Sequence, residues 1–247
     1  MTDKKYKIRR DLSMEYAGHK LYRIEALKNF GHIIAGDIGG YIEKEDNLSQ
    51  YNNNCWISNN AKVMDNATVQ DNAFVSYGAI VKDSARIYNN AIISGFAVIS
   101  DYAIVRDNAV VNSNAKVKNS AKIQDMVTVM DRAVIKDNAI INNYAEICGD
   151  AIVSNESIIS GNAVIYGEAN IENTTDVLVI GPIGSRNKYT TFMKQQDNIY
   201  VRCGCFFDTI DNFAKEVTRR HETNNHAINY MSAIDFVKIY FNNTLQI

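Results

Sequence analysis

Apolar and polar residues alternate along the middle of the chain with a period of six. Stepping by sixes from Ile57 to Ile171 meets twenty residues, and every one is Val or Ile. Two positions before these residues, from Ala61 to Ala169, 17 of 19 residues are Ala. Two positions after them, 18 of 20 residues are Asp, Asn or Gly. The repeating unit is therefore A-x-[VI]-x-[DNG]-x.

This period predicts a solenoid of very short strands. Because Ala and the following Val or Ile lie two residues apart, their side chains point to the same side of a strand. The Asp, Asn or Gly that follows is a turn residue, since these types tolerate a positive φ. Strands this short are stable only when coils stack on one another. Three hexads close a triangular coil, so the repeat predicts six to seven coils and a prism roughly 30 Å long.

The pattern changes at both ends of the repeat. We predict a β-helix over residues 56–172 and an N-terminal β cap over residues 1–55, where "KLYRIEAL" and "GHIIAGDIGGYIEK" alternate like short strands. Caps are expected because the end coils of a solenoid have unpaired strand edges. Residues 173–247 predict an α+β module, so the chain as a whole is mainly β.

The C-terminal module is predicted to contain strands followed by two helices. The segments "DVLVIG", "GSRNKYTTFMKQ" and "NIYVRCGCF" read as strands. The first helix is capped by Asp208 or Thr209 and ends near His221. The second helix runs from about Asn225 to Phe241, with apolar residues along one side.

One outward-facing column of the prism is a candidate contact surface. It contains no Lys or Arg, and it consists of Trp56, Phe74, Ile92, Val110, Thr128, Glu146 and Val164. We predict that its apolar members, Trp56, Phe74, Ile92, Val110 and Val164, contact a partner, another part of the chain, or further copies in a dimer or trimer. The alternative is that these residues are present only because strands favour them.

Charge and cysteine content exclude several classes of protein. The formal net charge is -2, so no general attraction to nucleic acid or to an acidic membrane is expected. No apolar run reaches the roughly 18 residues of a membrane span, and the polar N-terminus does not resemble a secretory signal. The four cysteines are too few and too scattered for a disulfide framework. We therefore expect a cytoplasmic location.

Candidate ligand-binding residues cluster in the C-terminal module. Ser185, Arg186, Asn187, Thr191 and Arg202 supply the donors that an anionic ligand requires. His221 and His226 complete this predicted set. The alternative is that these polar residues form an edge that ties the module to the solenoid.

Cysteine chemistry in the module is not favoured. Cys203 and Cys205 are close in sequence to His221 and His226, which suggests zinc, but C-x-C is a tight spacing for this ion. No third group is placed to activate a Cys–His nucleophile. We predict buried, reduced thiols, no metal site and no cofactor.

Several segments resemble the phage- and prophage-borne hexapeptide-repeat proteins of the YdcK type, which are often labelled acetyltransferases. The resemblance rests on "LYRIEALKNFG", "AGDIGGYIEKEDNLS" and "CWISNNAKV", and on "IGSRN", "TTF" and "CGCF" in the C-terminal module. It implies a left-handed parallel β-helix, since the period alone does not fix the hand. It also implies a viral context, but a fold does not define a function.

The repeat argues against the acyltransferase chemistry of related β-helices. Those enzymes transfer an acyl group from CoA with a His as general base, near a loop that interrupts the hexads. Here the hexads run without interruption, and all four histidines lie outside them. No catalytic residue is therefore predicted. We expect a non-enzymatic phage or prophage protein that binds a host protein or a small anionic signalling ligand and so counters a host defence. The alternatives are a CoA-dependent acyltransferase and a structural virion or assembly component.

Overall fold

Three strands precede the hexads in the computed structural model, which describes residues 4–51 and 53–243. They are β1 (Tyr6–Tyr16), β2 (His19–Ala26) and β3 (Ile38–Ile42). β1 and β2 form an antiparallel hairpin, and β3 pairs antiparallel with β2. A short 3₁₀ turn at Glu45–Asn47 follows β3.

Each of the twenty hexads forms one two-residue strand, and the strands stack into three parallel sheets. The first sheet contains β4 (Trp56–Ile57), β7 (Phe74–Val75), β10 (Ile92–Ile93), β13 (Val110–Val111), β16 (Thr128–Val129), β19 (Glu146–Ile147) and β22 (Val164–Ile165). The second contains β5 (Lys62–Val63), β8 (Ile80–Val81), β11 (Val98–Ile99), β14 (Lys116–Val117), β17 (Val134–Ile135), β20 (Ile152–Val153) and β23 (Asn170–Ile171). The third contains β6 (Thr68–Val69), β9 (Arg86–Ile87), β12 (Ile104–Val105), β15 (Lys122–Ile123), β18 (Ile140–Ile141) and β21 (Ile158–Ile159). This arrangement confirms the predicted parallel β-helix.

The corners of the coils explain the Asp, Asn and Gly positions of the repeat. The corner residue Asp101 has a φ of 58°, and equivalent positions throughout the solenoid are also left-handed. Asp and Asn tolerate this conformation better than other residues with a side chain. The Asp101 carboxylate also accepts the backbone N–H of Asn119, one coil further on, at 2.9 Å. Corner side chains therefore join neighbouring coils as well as turning the chain.

The N-terminal segment continues one sheet of the solenoid. β3 pairs in parallel with β5, so the hairpin and β3 extend the second sheet beyond the first coil. The Trp56 side chain is only 1% exposed because the rings of Tyr6 and Phe30 pack on it edge-on. Lys5 is buried with its ammonium group donating to the Cys55 carbonyl at 3.0 Å, and this burial lowers the pKa of the ammonium group. The segment thus covers the open end of the prism.

The C-terminal module is a four-stranded antiparallel sheet followed by two helices. A 3₁₀ turn at Thr174–Asp176 leads into it, and its elements are β24 (Val177–Ile183), β25 (Lys188–Gln195), β26 (Asn198–Cys203), β27 (Phe206–Thr209), α1 (Ile210–His221) and α2 (Asn225–Asn243). The Thr209 side chain accepts the Asn212 N–H and caps α1, as predicted. Neither helix in the described ranges is long and apolar enough to cross a membrane.

The sheet of the module lies between the last coils and the helices. Met193 on β25 is buried in the hydrophobic core of the solenoid. Its neighbour Phe192 points the other way, into the core formed with the two helices. Because side chains alternate along a strand, each residue of β25 and β26 can be assigned to the solenoid side or the helix side.

Candidate functional site

A cleft of about 830 Å³ lies where the C-terminal module meets the last coils of the solenoid. We call it the junction cleft. The solenoid contributes Tyr144, Glu146 and Val164, and the module contributes residues of the two strand hairpins and the C-terminal end of α1. Its volume is typical of sites that bind a small organic molecule.

The strand register explains how one cleft reaches both sides of the sheet. Arg202 pairs with Thr191 on one neighbouring strand and with Phe207 on the other, and all three face the solenoid. Cys203 pairs with Phe206, which packs on Phe213 of α1, so both face the helices. The hairpin between β26 and β27 therefore divides the junction cleft into a solenoid side and a helix side.

Arg202 is held in place by an aromatic ring. Its guanidinium lies 4.5 Å from the centroid of the Tyr166 ring, and the Tyr166 ring packs edge-on against Phe207 at 5.0 Å. The side chain is half-buried. A planar guanidinium stacked in this way keeps its N–H donors free for a carboxylate or phosphate.

Positive charge dominates the junction cleft. Within the described residues, no carboxylate forms an ion pair with Arg186, Lys188 or Arg202, all of which line the cleft. Two carboxylates, Glu146 and Glu216, also line the cleft. Glu216 pairs with Arg219 and Arg220, and these hydrogen bonds lower the pKa of Glu216 to about 2. The cleft thus contains three cations without an acidic partner.

A second cleft on the other side of the junction has the opposite character. Its volume is about 1030 Å³, and it is lined by Asp150, Glu168, Glu172 and Asp176 with a single cation, Lys194. The two clefts share Phe207 as a common wall. An anionic ligand is therefore favoured in the junction cleft alone.

The structure brings together four of the seven predicted ligand-binding residues. Ser185, Arg186, Arg202 and His221 all line the junction cleft. The remaining three occupy other positions and are Asn187, Thr191 and His226.

Those three residues have structural surroundings of their own. Asn187 is exposed in the turn before β25, with a φ of 49°. His226 packs against His221 with ring centroids 5.7 Å apart. Thr191 is only 1% exposed, and its hydroxyl accepts the Val164 N–H at 2.9 Å. Thr191, predicted to contact a ligand, instead ties the module to the solenoid, which is the alternative role that the sequence left open.

The cysteines of the module are not arranged as a metal site. Cys203 and Cys205 are free thiols and, with His221 and His226, they form no three-ligand cluster within the described part of the chain. Cys205 is exposed and Cys203 half-buried, so the predicted burial of both thiols is wrong. The Cys203 sulfur contacts the Tyr230 hydroxyl at 3.5 Å, and burial raises the pKa of Tyr230.

The predicted contact face is partly occupied by the chain itself. Trp56, predicted as a contact residue, contacts another part of the chain, because Tyr6 and Phe30 of the N-terminal segment pack on it and bury it. Phe74 is half-buried, with its ring 5.1 Å from that of His32, and Val164 meets the C-terminal module. Ile92 remains 41% exposed and Val110 is half-buried. Contact with a partner or another copy stays a prediction for Ile92 and Val110.

The structure also assembles a group of residues that sequence reasoning missed. His19, Glu43 and Asp65 each offer a ligand atom, and these atoms lie within 4.8 Å of one another. The hydrogen bond to Glu43 raises the pKa of His19. No motif joins the three residues, because they come from the hairpin, the segment after β3 and the corner before β6.

A comparison of the sequence with protein-family profiles gives no match, and a search of curated proteins gives no significant match.

Proposed function

We propose that the protein binds a small anionic ligand in the junction cleft and does not transform it. The proposal rests on one observation, the presence of Arg186, Lys188 and Arg202 in a cleft of about 830 Å³ without acidic partners. Arg202 is half-buried, and a charged donor without a partner is costly where it is partly removed from water, so an anion relieves that cost. A phosphate or carboxylate group meets this requirement.

Arg202 and Arg186 have distinct roles in this proposal. Arg202 is half-buried and oriented by Tyr166, so it is the anchor for the anionic group. Arg186 and Ser185 lie in the hairpin between β24 and β25, where they reach the ligand from the cleft entrance. Tyr144 provides apolar surface on the solenoid side for the uncharged part of the ligand.

Binding is favoured over catalysis by the surroundings of His221. This is the histidine that could act as a general base in the junction cleft. Its ring packs beside those of His226 and Tyr230, and among the described residues its side chain forms no hydrogen bond or ion pair. A general base of this kind is normally oriented by a hydrogen bond to a third group. Acyl transfer from CoA is the alternative function. It would consume acetyl-CoA, whereas binding alone leaves the ligand unchanged.

Isothermal titration calorimetry with inorganic phosphate, AMP, ADP and acetyl-CoA tests the proposal. Removing the anchor in Arg202→Ala should weaken binding of the best ligand at least tenfold, since a charge-assisted hydrogen bond contributes about 1.5–3 kcal/mol. Arg86→Ala is the matched control, because Arg86 is exposed on the third sheet, outside the residues that line the cleft. The proposal fails if none of the four compounds binds below 1 mM, or if both variants bind equally well. Release of CoA from acetyl-CoA with an added amine would instead support the acyltransferase.

A role in phage infection is a further part of the proposal. The resemblance of the N-terminal segments to prophage proteins supports it, together with a cleft suited to a small signalling anion. On this view, the protein acts in the host cytoplasm and removes the ligand from a defence pathway. A host strain that expresses wild-type protein should admit more phage than one that expresses Arg202→Ala at equal level. Equal plating on both strains would contradict the role, and protein found in purified virions would favour the structural alternative.

A further inference from the structure

His19, Glu43 and Asp65 meet where the N-terminal segment joins the first coil. The His19 Nδ1 atom lies 3.2 Å from Glu43 Oε1, and the Nε2 atom lies 3.6 Å from Asp65 Oδ1. Metal–ligand bonds of about 2.1 Å place ligand atoms roughly 3 to 4 Å apart around an ion. Only one nitrogen of the imidazole can bind the same ion as the two carboxylates. One ligand atom from each of the three residues lies within 4.8 Å of the others, so the three side chains are close enough to share one ion.

Both carboxylates are held from behind by the backbone. The second oxygen of Glu43 accepts the Asp65 N–H at 2.6 Å, and the second oxygen of Asp65 accepts the Asp83 N–H at 3.0 Å. Each carboxylate therefore has one fixed oxygen and one oxygen directed at His19. Ligands oriented by outer hydrogen bonds in this way bind metals more tightly than free ones.

The cluster carries negative charge and is open to water. Among the described residues, neither Glu43 nor Asp65 forms an ion pair with a Lys or Arg, and both carboxylates lie against His19. The three side chains are 28–31% exposed. An ion here would keep open positions for water, and it would offset two carboxylates that neutral imidazole leaves uncompensated.

We propose that His19, Glu43 and Asp65 bind a divalent transition-metal ion, with Zn²⁺ or Mn²⁺ as the class. One imidazole with two carboxylates selects these ions over Ca²⁺ and Mg²⁺, which prefer oxygen ligands alone. The ion links β2 and the segment after β3 to the corner between β5 and β6. The site is separate from the junction cleft and does not depend on the proposed function.

The hydrogen bonds between corner residues of neighbouring coils allow a variant that removes a ligand without disturbing the fold. Asp65→Asn keeps an amide oxygen for the Asp83 N–H and suits a left-handed corner, as Asn119 does two coils beyond Asp83. His19→Ala removes the imidazole. Asp101→Asn is the matched control, because Asp101 occupies the same column of corners but lies outside the cluster.

Calorimetric titration with Zn²⁺ should show one site in the wild type. Affinity should fall at least tenfold in His19→Ala and Asp65→Asn and stay within twofold in Asp101→Asn. Equal affinity in all four proteins, or an equal loss in Asp101→Asn, overturns the proposal. A second test uses Mn²⁺, which avoids thiols and broadens nearby proton resonances. Selective broadening of the His19 imidazole supports the site, whereas broadening of another histidine, or of none, contradicts it.

Discussion

Substitutions at a corner of the β-helix should separate backbone strain from side-chain bonding. Asp101 is suitable because its φ of 58° and its hydrogen bond from the Asn119 N–H are both defined. Alanine at this position pays roughly 1–2 kcal/mol for the left-handed conformation. It also loses a hydrogen bond that contributes about 0.5–1.5 kcal/mol. Asp101→Ala should therefore lower the free energy of unfolding by about 1.5–3.5 kcal/mol.

Glycine and asparagine should give smaller effects for different reasons. Asp101→Gly removes the steric strain and loses the hydrogen bonds that the carboxylate accepts from the Asn119 N–H and the Ser100 hydroxyl, so a cost of about 1 kcal/mol is expected. Asp101→Asn keeps both the conformation and an acceptor oxygen, so the change should stay within about 0.5 kcal/mol. The expected order of stability is wild type, Asn, Gly and then Ala.

Urea unfolding followed by two probes measures this order. Circular dichroism reports the strands, and fluorescence reports Trp56, the single tryptophan, which is buried at the first coil. Coincident transitions are required, because repeat arrays can lose cooperativity. If Gly destabilises as much as Ala, strain is not the larger contribution. If Asp101→Asn destabilises as much as Asp101→Ala, the hydrogen bonds between corners require a charged acceptor, and the reasoning is wrong.

Three further outcomes are expected elsewhere in the chain. A Cβ on Gly39 would lie 2.6 Å from an atom of Trp56. Gly39→Ala should therefore lower the free energy of unfolding by about 1–3 kcal/mol and shift the tryptophan fluorescence to the red. Unchanged fluorescence would contradict this expectation. Burial raises the pKa of the Cys148 thiol to about 12. The thiol of the unfolded chain ionises at a lower pH than the buried one, so the free energy of unfolding should fall above about pH 8.5. At pH 10 the wild type should have lost roughly 2 kcal/mol more than Cys148→Ala. Parallel pH profiles of stability for the two proteins would refute this expectation. Thr209→Ala should cost about 1 kcal/mol by thermal unfolding because it removes the cap of α1, whereas the control Thr218→Ala, inside the same helix, should cost less.

The sequence specifies the solenoid more completely than the surfaces around it. The columns follow from a two-residue alternation and a left-handed corner, and both are local properties of the chain. The burial of Trp56 depends on the path of Phe30, which no period determines. The junction cleft depends on how the module docks, for example through Thr191 and Val164, and such long-range contacts leave no pattern in the sequence. Arg186 and Arg202 are candidates from residue type and position in the sequence. Lys188 is recognised as a third cation only once the fold places it in the junction cleft.

The strict register of the coils makes the β-helix a molecular ruler. Each strand pairs with the residues 18 positions further on, so the columns do not drift sideways from coil to coil. The corner at Asp65 and the cleft residue Glu146 are separated by about four and a half coils, or roughly 22 Å along the axis. Insertion of one coil of hexads would move the two ends apart by about 4.8 Å without redesigning either of them. The length of the repeat can therefore change in evolution while the chemistry at each end is preserved.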